Sequence, residues 1–486
     1  MQVRPSRSDF GRLAAEHTVV PVWTTFVADR ETPVSAFEKL AGDEPGFLLE
    51  SVEGGENWGR WSFVGWDPAF TVTSRDGVVS VDRPGLELRG DDPLSVLEEL
   101  VAHNSVPVID GLPPLHSGLV GYLAFDVVRY VEHLPNRPPD DRGLPEMVWH
   151  FVGSLAAFDR VDQTITLVRN VFVDQGGTYD DAVASLEEAV ERLGAGSPYT
   201  PTPVGPEPEP PPWTSTFTAE GFVAAVMEAK AAIRAGDAFQ IVLSQRLATE
   251  APKNAFDVYR ALRLINPSPF LFFIRHPEVA VAGSSPELMT RVRDGVAYSR
   301  PIAGTRPRGA TPEEDAQLSK ELLADPKERA EHVMLVDLAR NDLGRVCEFG
   351  TVMVDDLMVI ERYSHVMHIV SGVSGRLRPG IGPVDVLRAT FPHGTVSGAP
   401  KVAAIEIIDR LEPVARGPYA GAAGYIDFSG NVDTAICLRT VVHAGETAWI
   451  QAGAGIVADS DPEAEYWETM DKAAAALAAI ARARAL

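Results

Sequence analysis

Glu331-His-Val-Met-Leu-Val-Asp-Leu-Ala-Arg-Asn-Asp342 is a mostly apolar stretch of helical character that begins with an acidic residue. Glu328 lies one helical turn earlier and therefore on the same face as Glu331. Near the far end of the chain, Glu465 and Glu468 repeat the Glu-x-x-Glu spacing. If the two pairs face each other across a cleft, their charges repel unless a cation lies among them, and a hard, oxygen-preferring ion such as Mg²⁺ suits them. A single such pair is otherwise usually solvated helix surface.

On both sides of this helix, strand-like and helical stretches follow one another without regular alternation. Strand-like runs occur at residues 61–65, 70–73, 164–168, 240–243, 270–274, 279–283 and 449–457, and helical runs at 181–193, 219–235, 312–345, 383–390 and 463–484. This order predicts an α+β protein of the wider α/β class, with large mixed or antiparallel sheets flanked by helices. It disfavours a Rossmann or TIM-barrel arrangement.

The clearest boundary is SPYTPTPVGPEPEPPP at residues 197–212, where proline dominates and apolar periodicity is lost. Such a segment favours extended polyproline II backbone. We therefore predict an exposed linker over residues 197–216 that joins an N-terminal α+β domain, 1–196, to a C-terminal catalytic domain, 217–486. A chain of 486 residues with 45% hydrophobic content is long enough for a core in each domain.

Composition excludes several classes of partner. The formal net charge is −25 and the pI is about 4.8, which opposes binding to nucleic acid or anionic membranes. Cys347 and Cys437 are the two cysteines, without CxxC spacing, so neither a disulfide framework nor a thiolate zinc site is indicated. The first 18 residues lack a continuous apolar core, and no apolar run of about 20 residues occurs elsewhere. We expect a cytoplasmic protein.

Several glycine-rich segments follow the linker, at residues 283–287, 300–306, 394–401 and 451–455. Glycine permits close approach of backbone N–H groups to an anionic ligand, and neighbouring Thr and Lys side chains can hold carboxylate oxygens. Residues 394–401 read GTVSGAPK and lack the GxxxxGK[ST] spacing, which disfavours a nucleotide-binding loop.

Taken in order, PIAGT, EHVMLVDLARND, GTVSGAPK, CLRT and QAGAG resemble the motifs of the chorismate-utilising enzymes, most closely the large subunits of anthranilate synthases. The resemblance covers nearly the whole chain and is strongest over residues 217–481. It implies a two-domain fold with a β-sandwich-like core and a ligand cleft in the C-terminal part. It further implies Mg²⁺-dependent amination of chorismate at C2 and loss of pyruvate to give anthranilate, the first step of tryptophan biosynthesis.

The resemblance also implies roles for individual residues. Glu331 and Glu468 would hold Mg²⁺ directly, and Glu328 and Glu465 would contact these ligands or water molecules bound to the metal. Arg439 offers the bidentate geometry that the enolpyruvyl carboxylate prefers. The other implied substrate-binding residues are Gly304, Thr305, Lys401, Tyr419, Gly453, Ala454 and Gly455, and the implied catalytic residues are Glu287, His368 and Thr395.

Two positions distinguish among members of the family. Ala303 stands where aminodeoxychorismate synthases typically carry a nucleophilic lysine, so direct attack by ammonia is favoured. Gln240 stands where isochorismate and salicylate synthases place a water-activating lysine, and an amide cannot act as that base. The alternatives are an aminodeoxychorismate synthase, an aminodeoxyisochorismate synthase of a secondary-metabolite pathway, and a noncatalytic tryptophan sensor. His393 departs from the family pattern, which has a small or apolar residue there, and we expect it close to the substrate.

A regulatory site and a partner are also expected. Leu48-Leu-Glu-Ser51 and Asn266-Pro-Ser-Pro-Phe270 resemble the two halves of a tryptophan feedback site, formed by Leu49, Glu50, Ser51, Pro269, Phe270 and Leu271. Neither cysteine lies in a glycine-rich elbow typical of a glutaminase nucleophile. Ammonia should therefore come from a separate glutamine amidotransferase subunit, within a hetero-oligomer of paired large and small subunits.

Overall fold

The computed structural model describes residues 1–51, 59–83, 85–86, 88–196, 208–363 and 366–486. The α-helices are α1 Arg7–Ala14, α2 Pro33–Leu40, α3 Pro93–His103, α4 Tyr179–Gly194, α5 Ala219–Ala235, α6 Ala255–Ile265, α7 Pro312–Ala324, α8 Pro326–Gly344, α9 Pro383–Thr390, α10 Lys401–Leu411 and α11 Pro462–Ala483. Short 3-10 helices occupy Phe125–Tyr130, Val173–Gln175 and Gly394–Val396.

The strands all belong to two large sheets. They are β1 Val19–Val27, β2 Gly46–Glu50, β3 Trp61–Trp66, β4 Phe70–Arg75, β5 Val78–Val81, β6 Leu119–Leu123, β7 Met147–Phe151, β8 Ser154–Asp159, β9 Thr164–Phe172, β10 Trp213–Ser215, β11 Gln240–Glu250, β12 Phe270–His276, β13 Val279–Ser285, β14 Leu288–Arg293, β15 Val296–Ser299, β16 Ile302–Pro307, β17 Met353–Arg362, β18 Val366–Arg376, β19 Gly398–Ala399, β20 Ala422–Ile426, β21 Val432–Ile436, β22 Thr440–Ala444 and β23 Thr447–Ile456.

Both sheets contain strands from either side of the predicted linker. The first has the order β1-β9-β8-β3-β2-β12-β13-β22-β23-β11-β10, with β19 beside β11. The second has the order β16-β18-β15-β14-β21-β20-β6-β7-β4-β5, with β17 beside β18. The paired strands run antiparallel, for example β2 with β12 and β6 with β20. This confirms the predicted architecture of large antiparallel sheets flanked by helices, and the two regions on either side of the linker share both sheets.

The core between the two sheets explains the β-sandwich-like arrangement. Phe47 and Phe272 from the first sheet pack in one apolar cluster with Tyr122 and Val148 from the second. Each of these side chains is at most 2% exposed. Burial of one such side chain contributes about 1.5–3 kcal/mol. A further apolar cluster lies where α4, α6 and α11 pack on the first sheet, so this sheet is buried on both faces.

The structure corrects two predicted boundaries. The helix predicted over 312–345 is divided at Asp325, because Pro326 disfavours helical backbone in the residue before it. Asp325 instead caps α8 by accepting hydrogen bonds from the backbone N–H groups of Lys327 and Glu328. Within the predicted linker, residues 197–207 lie outside the described residues, and Trp213–Ser215 forms strand β10 against β11 rather than linker. Among the helices described, none is long and apolar enough to cross a membrane.

Candidate active site

A cavity of about 590 Å³ brings together nearly all residues predicted to bind substrate or metal or to act in catalysis. It is lined by Gly304 and Thr305 from β16, by His368 from β18, by residues of α8 and α11, and by the glycine-rich strand β23. The predicted residues at its surface are Glu287, Gly304, Thr305, Glu328, Glu331, His368, Thr395, Tyr419, Arg439, Gly453, Gly455, Glu465 and Glu468. Gln240 and Ala303, the two positions that distinguish family members, line the same cavity.

Four carboxylates line this cavity because α8 and α11 both begin beside it. Asp325 and Asp461 cap the two helices, each followed by proline at the first helical position. Glu331 Oε1 accepts a hydrogen bond of 3.1 Å from Gln240 Nε2. Burial raises the pKa of Glu331, and the charges of Glu328 and Glu468 raise it further. The two Glu-x-x-Glu pairs therefore lie close enough to repel each other.

The carboxylates are only partly neutralised by neighbouring cations. Arg306 Nη1 lies 3.2 Å from Glu328 Oε1, and Lys472 Nζ lies 2.7 Å from Glu468 Oε1. Across the described ranges, no three His, Cys, Asp or Glu side chains converge in a group that could hold a metal ion. Mg²⁺ commonly takes one or two protein carboxylates and completes its coordination with water and ligand oxygens. The carboxylates of Glu331 and Glu468 fit that smaller donor set.

Tyr419 and Arg439 line the cavity together with the glycines of β23. The backbone of Arg439 is left-handed, with φ of 47°, and its Nη1 donates to Asn266 Oδ1 over 3.4 Å. A Cβ atom at Gly453 would lie 2.6 Å from the Tyr419 hydroxyl oxygen. Glycine is therefore required for this close approach. A phenol, a guanidinium and an open strand backbone together suit a carboxylate ligand.

His368 is held in one orientation by β16. Its Nδ1 lies 3.1 Å from the Gly304 carbonyl oxygen and 3.1 Å from Thr305 Oγ1. A carbonyl only accepts, so Nδ1 carries a proton and Nε2 is left to accept one. Burial lowers the pKa of His368, and the nearby charge of Arg439 lowers it further, so the ring is neutral. His365 lies outside the described residues.

Glu287 is the carboxyl group of the cavity whose protonation is most perturbed. Its side chain is buried, and burial raises its pKa to about 7, although the charge of Lys472 opposes the shift. A carboxyl group with that pKa exists in both protonation states near neutral pH and can donate a proton there. His393 does not line the cavity as expected but lies behind Thr395, with Nδ1 2.8 Å from Thr395 Oγ1.

Two predicted substrate-binding residues do not reach the cavity. Lys401 Nζ forms a buried ion pair with Asp342 Oδ2 at 2.9 Å, so its charge is compensated by Asp342. Ala454 is 1% exposed and packs in an apolar cluster with Phe222 and Ile241. Successive strand residues face opposite sides, so the cavity face of β23 belongs to Gly453 and Gly455.

Lys472 is the principal cavity residue that was not predicted from the sequence. Its Nζ donates to the Gly453 carbonyl oxygen over 3.1 Å as well as to Glu468. The signal was present in the sequence, because Lys472 lies four residues after Glu468 and therefore on the same helix face. Gln451, Lys327 and Ser460 also line the cavity and were not predicted.

A second cavity, of about 680 Å³, is lined by all six predicted regulatory residues, Leu49, Glu50, Ser51, Pro269, Phe270 and Leu271. The two segments meet because β2 and β12 pair, with Glu50 opposite Leu271. The Glu50 carboxylate accepts hydrogen bonds from Tyr259 Oη at 2.6 Å and Arg263 Nε at 3.0 Å. The predicted effector residues thus form one pocket at the junction of the N- and C-terminal segments.

A family model described as chorismate binding enzyme matches residues 44–478. The chain is 48% identical to anthranilate synthase component 1 of Mycolicibacterium smegmatis, over 99% of this chain and 94% of that protein. It is 45% identical to anthranilate synthase component 1 of Pseudomonas aeruginosa, over 98% and 99%. The crystal structure of anthranilate synthase component I from Streptococcus pneumoniae superimposes with a TM-score of 0.79 at 34% identity, covering 93% of this chain and 99% of that one.

Proposed function

The chain belongs to the chorismate-binding enzyme family, and we propose that it is the large subunit of an anthranilate synthase. One observation carries the proposal: full-length similarity to anthranilate synthase components accompanies a single cavity with Glu287, His368, Arg439 and the four glutamates. The reaction would convert chorismate and ammonia into anthranilate, pyruvate and water.

Substrate binding follows from the charges of the cavity. Arg439 and Tyr419, with the backbone of Gly453, would hold the enolpyruvyl carboxylate. Glu331 and Glu468 would hold Mg²⁺, which when bound neutralises the ring carboxylate and polarises the allylic system as a Lewis acid. Lys472 lies between the two groups, since it contacts both Gly453 and Glu468.

The catalytic residues would divide the proton transfers between them. Ammonia nitrogen forms a bond to C2 while both ring double bonds shift by one position and the C4–O bond breaks. Glu287, in its protonated form, donates its proton to the departing hydroxyl, which leaves as water. His368 has a proton on Nδ1 and an accepting Nε2, so it can assist proton transfer beside C4 and in the second step. In that step C2 loses its proton and the C3–O bond breaks, which releases pyruvate and forms the aromatic ring.

Two cavity residues favour this reaction over related ones. Ala303 supplies no nucleophile for a covalent intermediate, so ammonia attacks directly. The Gln240 amide donates to Glu331 and cannot remove a proton from water at neutral pH. Amination is therefore favoured over hydroxylation.

Ammonia would come from a separate glutamine amidotransferase subunit. Cys347 and Cys437 are both buried, and burial raises the pKa of each thiol, which is unfavourable for a glutaminase nucleophile. We propose a cytoplasmic hetero-oligomer of paired large and small subunits, since a reducing compartment suits buried thiols.

Feedback inhibition by L-tryptophan would act through the second cavity. Leu49, Glu50 and Ser51 would contact the amino acid group, while Pro269, Phe270 and Leu271 would contact the indole. This cavity lies between strands that come from both halves of the chain. An effector that binds the open arrangement more tightly than the closed, active arrangement would shift the equilibrium away from activity.

Product identification tests the proposal. The purified chain is given chorismate, Mg²⁺ and ammonium chloride at alkaline pH, with and without L-tryptophan, and the products are separated chromatographically. Anthranilate that is suppressed by tryptophan is expected. Accumulation of aminodeoxychorismate or of aminodeoxyisochorismate would replace the proposal with the corresponding synthase. Tryptophan binding without consumption of chorismate would indicate a noncatalytic sensor.

A further inference from the structure

His393 lies immediately behind Glu287 and Thr395 and is itself almost fully buried. It is 6% exposed, and burial lowers its pKa to about 3, with the charge of Lys401 acting in the same direction. The ring is therefore neutral at any pH at which the enzyme works. Its Nδ1 lies 3.5 Å from Glu287 Oε1.

The hydrogen bonds of His393 determine where its proton lies. Nδ1 accepts the backbone N–H of Thr395 over 3.4 Å, as the cap of the short helix Gly394–Val396. An acceptor nitrogen carries no proton, so the 2.8 Å contact between Nδ1 and Thr395 Oγ1 requires the hydroxyl to donate to the ring. A hydroxyl has one proton to donate. When the Thr395 hydroxyl donates this hydrogen bond to His393, it can present only an oxygen lone pair to Glu287.

The surroundings of Glu287 therefore favour its neutral form. An ionised carboxylate would face the lone pairs of His393 Nδ1 and Thr395 Oγ1, whereas a protonated carboxyl can donate to Thr395. Glu287 Oε1 is buried and has no hydrogen-bond partner among the described residues. Of the charged groups nearby, Lys472 favours the ionised form, and Lys401, which faces His393, is neutralised by Asp342.

We propose that His393 is a positioning residue that turns the Thr395 hydroxyl away from Glu287 and so keeps Glu287 protonated for catalysis. The inference rests on the proposed function, in which Glu287 gives its proton to the departing C4 hydroxyl. His393 and Thr395 exchange no proton in that step. They determine the fraction of enzyme molecules in which Glu287 is protonated when proton donation to the C4 hydroxyl begins.

Replacement of His393 should change the pH dependence of turnover. In His393→Ala the Thr395 hydroxyl is free to donate to the carboxylate, so the Glu287 pKa should fall by about one unit, the effect of one hydrogen bond to an ionised group. In His393→Asn the side-chain oxygen replaces Nδ1 as the acceptor, so the pKa should be retained. His150→Asn is the matched control, because His150 is also buried and neutral and contacts the Thr71 hydroxyl at 3.1 Å.

The experiment compares ammonia-dependent rates of each variant with the unsubstituted enzyme between pH 6 and 9. Taking the ratio at each pH in one buffer cancels the changing concentration of free ammonia. For His393→Ala the ratio should fall about fivefold, from about 0.5 at pH 6 to about 0.1 at pH 9, whereas the ratios for His393→Asn and His150→Asn should stay flat. A flat ratio for folded His393→Ala, or an equal slope for His393→Asn, would overturn the inference.

Infrared titration of the Glu287 carboxyl group provides a readout that does not need turnover. The band is assigned by its loss in Glu287→Gln. It should titrate at lower pH in His393→Ala, and also in Thr395→Val, where the protonated acid loses its acceptor. A higher titration pH in Thr395→Val would show that the hydroxyl donates to the carboxylate and would refute the inference. Absence of anthranilate from the unsubstituted enzyme would instead refute the proposed function, whatever the titration shows.

Discussion

Gly453→Ala should raise the KM for chorismate much more than it changes kcat. The new Cβ atom would lie 2.6 Å from the Tyr419 hydroxyl and 2.7 Å from the Leu243 carbonyl oxygen on the neighbouring strand. Both distances are shorter than van der Waals contact, and the carbonyl belongs to the sheet backbone. The strand or the tyrosine must therefore move, at a cost of about 1–3 kcal/mol in stability for overpacking.

The effect on chorismate binding follows from displacement of the Tyr419 hydroxyl. The Tyr419 hydroxyl is proposed to donate to the enolpyruvyl carboxylate, and a hydrogen bond to a charged group contributes about 1.5–3 kcal/mol. Its loss corresponds to a rise in KM for chorismate of roughly 10- to 100-fold. The carboxylate is bound equally in the ground and transition states, so kcat should change much less than KM.

Steady-state anthranilate fluorescence over a range of chorismate concentrations measures both constants, and thermal unfolding reports on the fold. Gly344→Ala is the matched control, since an added Cβ at the end of α8 meets nothing within 4 Å. It should leave both kinetic constants unchanged. A folded Gly453→Ala enzyme with an unchanged KM would refute the placement of the substrate carboxylate against Gly453 and Tyr419.

Three further substitutions test the metal, regulatory and corrected assignments. Glu468→Gln should raise the Mg²⁺ concentration for half-maximal activity by at least about tenfold, because a charged ligand is lost. Glu463→Gln, on the exposed first turn of α11, should leave this concentration unchanged, and metal titration by calorimetry checks both variants. Ser51→Arg should fill the second cavity and relieve tryptophan inhibition without changing the uninhibited rate, and full inhibition of this variant would remove Ser51 from the effector site. Lys401→Met should lower the free energy of unfolding, measured with denaturant, by about 3–5 kcal/mol, because Asp342 is left buried without its partner. The KM for chorismate should not change, and a raised KM at unchanged stability would return Lys401 to the substrate site.

Local patterns predicted the elements that carry the site. The spacing of Glu328 and Glu331, and of Glu465 and Glu468, indicated shared helix faces, and α8 and α11 place all four side chains on one cavity. The same rule would have found Lys472, one turn beyond Glu468. The break at Asp325 was also readable, because Pro326 follows it.

Other features depend on contacts between distant segments and could not be read locally. The ion pair of Lys401 with Asp342 joins residues 59 positions apart, so a lysine in a glycine-rich motif was mistaken for a ligand contact. The pairing of β2 with β12, which assembles the second cavity, crosses the linker and was not predicted. Only the family resemblance indicated that the two segments belong to one site. His393 looked like an addition to the substrate pocket. The structure instead places it outside the cavity lining, in hydrogen-bond contact with Thr395.

The most direct test of the central claim is the stoichiometry of one reaction. Anthranilate and pyruvate are measured together while the purified chain consumes chorismate with ammonium and Mg²⁺ in the absence of any other subunit. We expect one anthranilate and one pyruvate for each chorismate consumed, and no consumption without ammonium. Chorismate consumption without ammonium, or an aminated product that retains the enolpyruvyl group, would contradict it.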